Sequence, residues 1–369
     1  MNKIRNGFLI ILILFLIIIS MNPSSGKLFK FPTNANLDIG TLYVGGFGPG
    51  NYSKIQDAID FSTDGDVVFV YNGTYSENII IDKSIKLIGE NRNNTIINGG
   101  SVGDVICILE NNCEVTITGF SILNSGDHKW RDAGIEIRSS FNEIKDNIIS
   151  FNICGILLVE KQGGVEYNII SKNIITHNNW IGIRVEDSNL NAIFANLIAN
   201  NGYGIYMNPG ILPCTIGVNQ GNFFEDEIHG NTIINNNIGI EVSHSWGMNI
   251  FRNNISVNNI GIKLFGTYGW GGFNKVRQNN IAHNKNGIVI DCFKGGTTYN
   301  IITENNFIEN KNNAIFYTEN NEWDGNYWNR PRIFPKPILG RYQIDTPLFS
   351  YSIPWINFDK NPAKEPYDF

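Results

Sequence analysis

The stretch Asn147-Ile-Ile-Ser-Phe-Asn152-Ile-Cys-Gly155-Ile156 returns as Asn173-Ile-Ile-Thr-His-Asn178-Asn-Trp-Ile-Gly182-Ile183. Asn196 to Gly204-Ile205 and Asn231 to Gly239-Ile240 repeat it, as do Asn254 to Gly261-Ile262, Asn280 to Gly287-Ile288 and Asn306 to Ala314-Ile315. Successive Gly or Ala positions fall 22 to 35 residues apart. Such a period belongs to solenoids, propellers and arrays. Inside each period, runs of two to four Ile and Val residues, such as Ile135-Glu-Ile137 and Ile183-Arg-Val185, are separated by Asn and Gly. These are short strands.

A second Asn stands five residues before the first in most copies, pairing Asn142 with Asn147, Asn168 with Asn173, Asn191 with Asn196, Asn249 with Asn254 and Asn300 with Asn305. Asn tolerates the left-handed bend a tight turn needs, and its amide can bond the equivalent residue one coil away. Ile side chains then form inward columns, while Glu136, Arg184, Glu241 and Lys263 alternate outward. Three short strands per turn describe an all-β chain: a single right-handed parallel β-helix of about ten coils over residues 41–330.

Open coil ends invite edge association, so each needs a cover. Ser53-x-x-Gln56 reads as a capping box, and Tyr52, Ile55, Ala58, Ile59 and Ser62 form one face of a short amphipathic helix for the N-terminal end. Seven of the 12 prolines lie between Pro331 and Pro366. They end regular coiling, and the aromatic tail 331–369, with Phe334, Trp355 and Phe358, is expected to wrap the C-terminal end.

Composition agrees: 56 Asn and 60 Ile make up nearly a third of the 369 residues. A net charge of −6 without basic runs argues against a nucleic-acid partner. Five cysteines cannot form a complete disulfide framework. Residues 1–25 carry Lys3 and Arg5, then an apolar run from Phe8 to Ile19, the pattern of a signal peptide or signal anchor. The mature chain is therefore expected to be secreted or at the cell surface, with a membrane contact only if that segment is uncleaved. Asn51, Asn72, Asn93 and Asn254 head Asn-x-Ser/Thr sequons and are glycosylation candidates.

Tyr52-Ser-Lys-Ile-Gln-Asp-Ala-Ile-Asp60, Asp64-Gly-Asp-Val67, Val70-Tyr-Asn-Gly-Thr-Tyr75 and Ile85-Lys-Leu-Ile-Gly-Glu90 resemble the opening of pectin-lyase-like β-helix proteins. The Asn-x-Ile and Gly-Ile repeats resemble the NosD-like and carbohydrate-binding/sugar-hydrolase group in particular, and Asn326-Tyr-Trp328 is similar to its closing motif. The resemblance implies the fold, and an activity among polysaccharide lyases, hydrolases, epimerases, binding modules and a periplasmic copper-site maturation protein. The Asn-Thr-Asp, Asp-Asp, Gly-His-Gly and Arg-Ile-Lys strings of polygalacturonases do not occur, nor does the Asp-Pro-His-Asp of alginate epimerases. The only Gln-Asp pair, Gln56-Asp57, lies in the cap helix rather than a coil, unlike that of pectin methylesterases.

Insertions after the Gly-Ile strands supply Glu160, Glu186, Asp187, His244, Trp246, Tyr268, Trp270, Asp291 and Lys294. Stacked on one side, they would form a strip of aromatics and carboxylates suited to a polysaccharide or cell-surface glycan; packing on the solenoid wall is the alternative. Asp127, His128 and Asp132 form a titratable run that can supply acid, base or metal ligands, or be a solvated loop. His177 and His283 sit four coils apart, roughly 19 Å at 4.8 Å per coil, too far to share a metal. No Cys-x-x-Cys spacing appears, so no metal or cofactor is expected. The expected function is polysaccharide binding by an exported protein, with surface proteins as further partners. The alternatives are a polysaccharide hydrolase or lyase, a structural surface rod and a NosD-like copper-related protein.

Overall fold

The structure, a computed structural model, describes residues 40–109, 113–159, 165–208, 227–267, 271–293, 297–345 and 349–369. The expected signal segment lies outside them. Each turn lays one strand into each of three parallel sheets. Sheet A has 12 strands, from Thr41–Val44 to Glu322–Asp324; sheet B has 11, from Gly73–Tyr75 to Tyr327–Trp328; sheet C has ten, from Ile79–Ile81 to Asn312–Phe316. The all-β right-handed solenoid read from the repeat is the fold.

Register explains the Ile bias. In sheet A, Ile117, Ile144, Ile170, Ile193, Ile228 and Ile250 stack directly and are at most 1% exposed. In sheet B, Ile122, Ile149, Ile175, Ile198, Ile233 and Ile255 do the same. Each such side chain contributes roughly 2–3 kcal/mol of apolar burial, and β-branched residues fit the pleat. Near the C-terminal end the columns change to Phe307, Phe316, Trp323 and Trp328, with Phe307 stacked on Trp328 at 4.5 Å. Aromatic rings fill the last coil.

The Asn ladders form, but their geometry corrects the expectation in two ways. The left-handed residue is the one before each ladder Asn: Asp146 (φ 54°), Phe151 (58°), Lys172 (58°) and His177 (55°). The Asn instead accepts, through Oδ1, the backbone N–H and Nδ2–H of the Asn one coil below; Asn147 donates both to Asn173 at 3.0 and 3.2 Å. Later copies are also shifted by one. Asn253, Asn279 and Asn305 carry the ladder, whereas Asn254, Asn280 and Asn306 are strand residues, as is Asn249. Likewise Ala314 pairs with Ile288, not with Gly287. The Gly column itself is steric: a Cβ at Gly182 would meet the Gly204 carbonyl oxygen at 2.6 Å.

The N-terminal helix spans Ile55–Phe61 and buries Ile55, Ala58 and Ile59, as its amphipathic face requires. Its cap differs from the capping box. Lys54 is the N-cap without a side-chain bond, and the Glu77 carboxylate accepts from the Ile55 and Gln56 N–H groups at 2.9 and 3.0 Å. Gln56 instead exchanges hydrogen bonds with the Ile80 backbone. At the other end, Lys336–Asp345 and Ser350–Asp359 form an antiparallel hairpin, the only antiparallel pair among the described strands.

Candidate functional site

On the outer face of sheet C, register places Cys107, Glu136, Leu157, Arg184, Tyr206, Glu241 and Lys263 in one line, one per coil. Alternation turns them away from the core, yet Glu136, Arg184 and Glu241 are only 3%, 1% and 6% exposed. Charge removed from water must be paired. Arg138 Nη2 donates to Glu136 at 2.5 Å, Arg184 pairs with Glu186, and Lys263 Nζ reaches Glu241 at 3.4 Å. Ser243 Oγ donates to Glu241 at 3.2 Å.

The middle of this line is aromatic. The Arg184 guanidinium lies 4.5 Å from the Trp130 ring and 5.1 Å from the Trp180 ring, and the two rings meet edge to face at 4.9 Å. Arg184 Nη1 donates to the Lys129 carbonyl at 3.2 Å, which ties the 126–132 segment onto the sheet. Trp130 remains 64% exposed. Tyr203 and Tyr206 follow one coil on, and burial pushes both phenols above their ordinary pKa. Higher up, His244 stands edge-on to Phe265 at 5.6 Å, and burial pushes its imidazole pKa down against the opposing pull of Glu241.

Asp104, Cys107 and Glu136 bring three donor atoms within 4.8 Å of one another, the only such trio of His, Cys, Asp or Glu among the described residues. Burial first, then the neighbouring Glu136, pushes the Asp104 carboxyl up to about 8; burial likewise pushes the Cys107 thiol up to about 12. Two of the three donors therefore keep their protons at neutral pH, and the cation facing the trio is Arg138. Arg138, paired with Glu136 at 2.5 Å, supplies the positive charge that the trio faces.

The predicted site residues fall into separate places. Glu186 pairs in register with Asn208, and Phe265 with both Ser243 and Asp291, so Glu186 and Asp291 share the outer face of sheet C. Asp187 and His244 end their strands in left-handed conformations. Trp246 lies around the corner leading to sheet A, stacked on Phe273 at 5.6 Å, with Phe273 on Tyr299 at 5.3 Å. Phe273 thus has a ring on each face, and Trp246 and Tyr299 each have one. Glu160, Tyr268, Trp270 and Lys294 lie outside the described residues. In the 127–132 loop, Asp132 Oδ2 accepts the His128 N–H at 3.0 Å and His128 Nδ1 accepts the Trp130 N–H at 3.3 Å. Asp132 and His128 thus shape the turn that holds Trp130.

Sequence reasoning named Glu136, Arg184 and Glu241 as outward but missed their burial, and it missed Asp104, Trp130 and Trp180 as site residues. Trp180 stands four residues before Arg184 on the same coil, a visible signal; Trp130 meets Arg184 from 54 residues upstream, which only the coil stacking reveals.

Two family models match: one described as a right-handed beta helix region over residues 108–268, the other as a periplasmic copper-binding protein (NosD) over residues 212–338. A cell surface glycoprotein of Methanothermus fervidus is 31% identical over 167 residues, covering 42% of this chain. The match spans about a quarter (26%) of that glycoprotein's length. Among solved structures, XylC in complex with xylose superposes with a TM-score of 0.52 at 10% identity, covering 81% of this chain and 71% of that one. The mannuronan C-5 epimerase AlgE6 A-module of Azotobacter vinelandii gives a TM-score of 0.48 at 14% identity, covering 74% and 88%. Repeat and register show a right-handed parallel β-helix, and the two family models together match residues 108–338 of it.

Proposed function

We propose that this chain is an extracytoplasmic surface protein that binds polysaccharide along the outer face of sheet C, without an efficient bond-breaking step. The observation that carries the reading is Trp130, 64% exposed and anchored on the buried Arg184 between two indole rings. A fixed indole offers an apolar face to the C–H side of a sugar ring. Glu186 and Lys263, the partly exposed members of the Arg184–Glu186 and Lys263–Glu241 pairs, leave hydrogen-bonding capacity for hydroxyls on this face. A chain-like ligand can meet several coils at once, so weak contacts sum. Similarity to a cell surface glycoprotein supports the location.

The test is a glycan array on the purified protein, with reducing-sugar and unsaturated-product assays on the hits. Trp130→Ala is expected to weaken binding about tenfold, near 1.4 kcal/mol, while Trp246→Ala changes it less than twofold. The reverse pattern would move the site to the Trp246, Phe273 and Tyr299 column. Product that disappears in Asp127→Ala or Asp132→Ala would replace binding by catalysis.

A further inference from the structure

The charges around Trp130 bear on which sugars suit the face it serves. Arg184, the cation packed against that indole, is already committed: it is 1% exposed, paired with Glu186 and covered by the Trp130 and Trp180 rings. What reaches solvent beside it is acidic. The Glu186 side chain is 23% exposed, and the exposed Asp187 follows at the strand end, held there by its own N–H, which donates to the Asn208 carbonyl at 3.0 Å. Asp187 forms no ion pair among the described residues.

The same pattern runs along the line. On the described coils from Ala133–Ile137 to Ile260–Thr267, three cations, Arg138, Arg184 and Lys263, meet four carboxylates, Glu136, Glu186, Glu241 and Asp187. Each of the three cations sits on a carboxylate of this face. In the 127–132 loop, Lys129 and Arg131 are matched in number by Asp127 and Asp132. Lys285 and Lys311, exposed at the corner entering the last two coils, lie four and five coils beyond Arg184, roughly 19 to 24 Å away at 4.8 Å per coil. A polyuronate brings a carboxylate on every ring, and seating it here costs desolvation that no unpaired cation on these coils offsets. Next to Glu186 and Asp187 it is also repelled. A neutral polymer brings hydroxyls, for which the same two carboxylates are acceptors.

We infer that the outer face of sheet C selects neutral polysaccharide and rejects polyuronates, with Glu186 and Asp187 as the residues that set the choice. The inference rests on the glycan-binding reading above and names the ligand class for it. Rejection by like charge is specificity built against the wrong ligand. Asp187 is the cleaner position to change, because Glu186 also neutralises the buried Arg184, whereas Asn tolerates the left-handed φ of 47° at Asp187.

The probes are oligomers of glucose, mannose and galactose, each beside the oligomer of the matching uronic acid, which differs only by a carboxylate in place of the hydroxymethyl group. Binding to the full chain is measured by calorimetry, with a chelator present so that no divalent cation bridges carboxylates. Salt is set at about 0.01 M and about 1 M, across which the screening length falls from about 30 to about 3 Å. The neutral member of at least one pair is expected to bind and to be weakened by Trp130→Ala. Its acid partner should bind at least about tenfold more weakly at low salt, a gap that closes at high salt and shrinks about threefold in Asp187→Asn. An acid member that binds as well as its neutral partner, or a gap indifferent to salt or to Asp187→Asn, overturns the inference and leaves the Trp130 site standing. No binding by any pair, or binding indifferent to Trp130→Ala, removes the glycan site itself and this inference with it.

Discussion

The Asp359 carboxylate accepts the backbone N–H of Asn326 at 2.9 Å, occupying the place that the next asparagine holds for Asn147, Asn173, Asn196 and their successors. The same oxygen accepts from Asn326 Nδ2 at 3.2 Å and from Trp328 Nε1 at 2.8 Å, and Asp359 is fully buried. The ladder is thus closed by a residue from the hairpin. Asp359→Ala leaves two buried donors unpaired, the Asn326 N–H and Trp328 Nε1, since Asn326 Nδ2 keeps the Ile302 and Asp324 carbonyls, and is expected to cost about 3 kcal/mol, whereas Asp359→Asn retains an acceptor and costs about 1. Urea unfolding of the two variants checks the order; equal effects would mean that the cap is not what the carboxylate supplies.

Asn253 and Asn254 are neighbours with opposite roles. Asn253 is 1% exposed and bonds Asn279, the Ile228 carbonyl and the Phe251 carbonyl, while Asn254 lies exposed on sheet B. Asn253→Ala should destabilise by about 2–3 kcal/mol and Asn254→Ala by less than about 0.5. Thermal melts that rank them the other way would show the register to be shifted by one.

The raised Asp104 carboxyl makes stability depend on pH. Folded, it holds its proton to about 8; unfolded, it releases it near the ordinary 3.8. Its contribution is therefore fully present below the unfolded value and is lost as pH rises through about 8, with a slope of at most about 1.4 kcal/mol per pH unit. Asp104→Asn keeps an acceptor for the Ala133 N–H, now 2.7 Å away, and removes the titration. Unfolding free energies at pH 5, 6, 7 and 8 should slope downward in the wild type more steeply than in the variant; parallel curves would refute the assignment.

Among the sequons, Asn72 and Asn93 are exposed near turns, whereas Asn51 Nδ2 donates to the Gly45 carbonyl at 2.6 Å. A glycosylating host is expected to modify Asn93 and Asn72 and to leave Asn51 bare. Glycopeptide mass spectrometry decides, and occupied Asn51 would contradict the geometry.

The recurrence of Asn, Ile-Ile and Gly-Ile by itself determined the solenoid, because a strand period of two and a coil period of 22 to 35 residues leave one way to bury the recurring isoleucines. It also determined that Glu136, Arg184, Glu241 and Lys263 face outward. It did not determine which residues bear the left-handed turns, since that depends on where a side-chain amide must sit to reach the next coil. Trp130 on Arg184, Asp104 beside Glu136 and Asp359 on Asn326 were decided only by the tertiary structure. Coils of unequal length bring residues 29 to 54 positions apart into contact, and burial then turns surface-type residues into paired, shifted or capping groups that no local spacing announces.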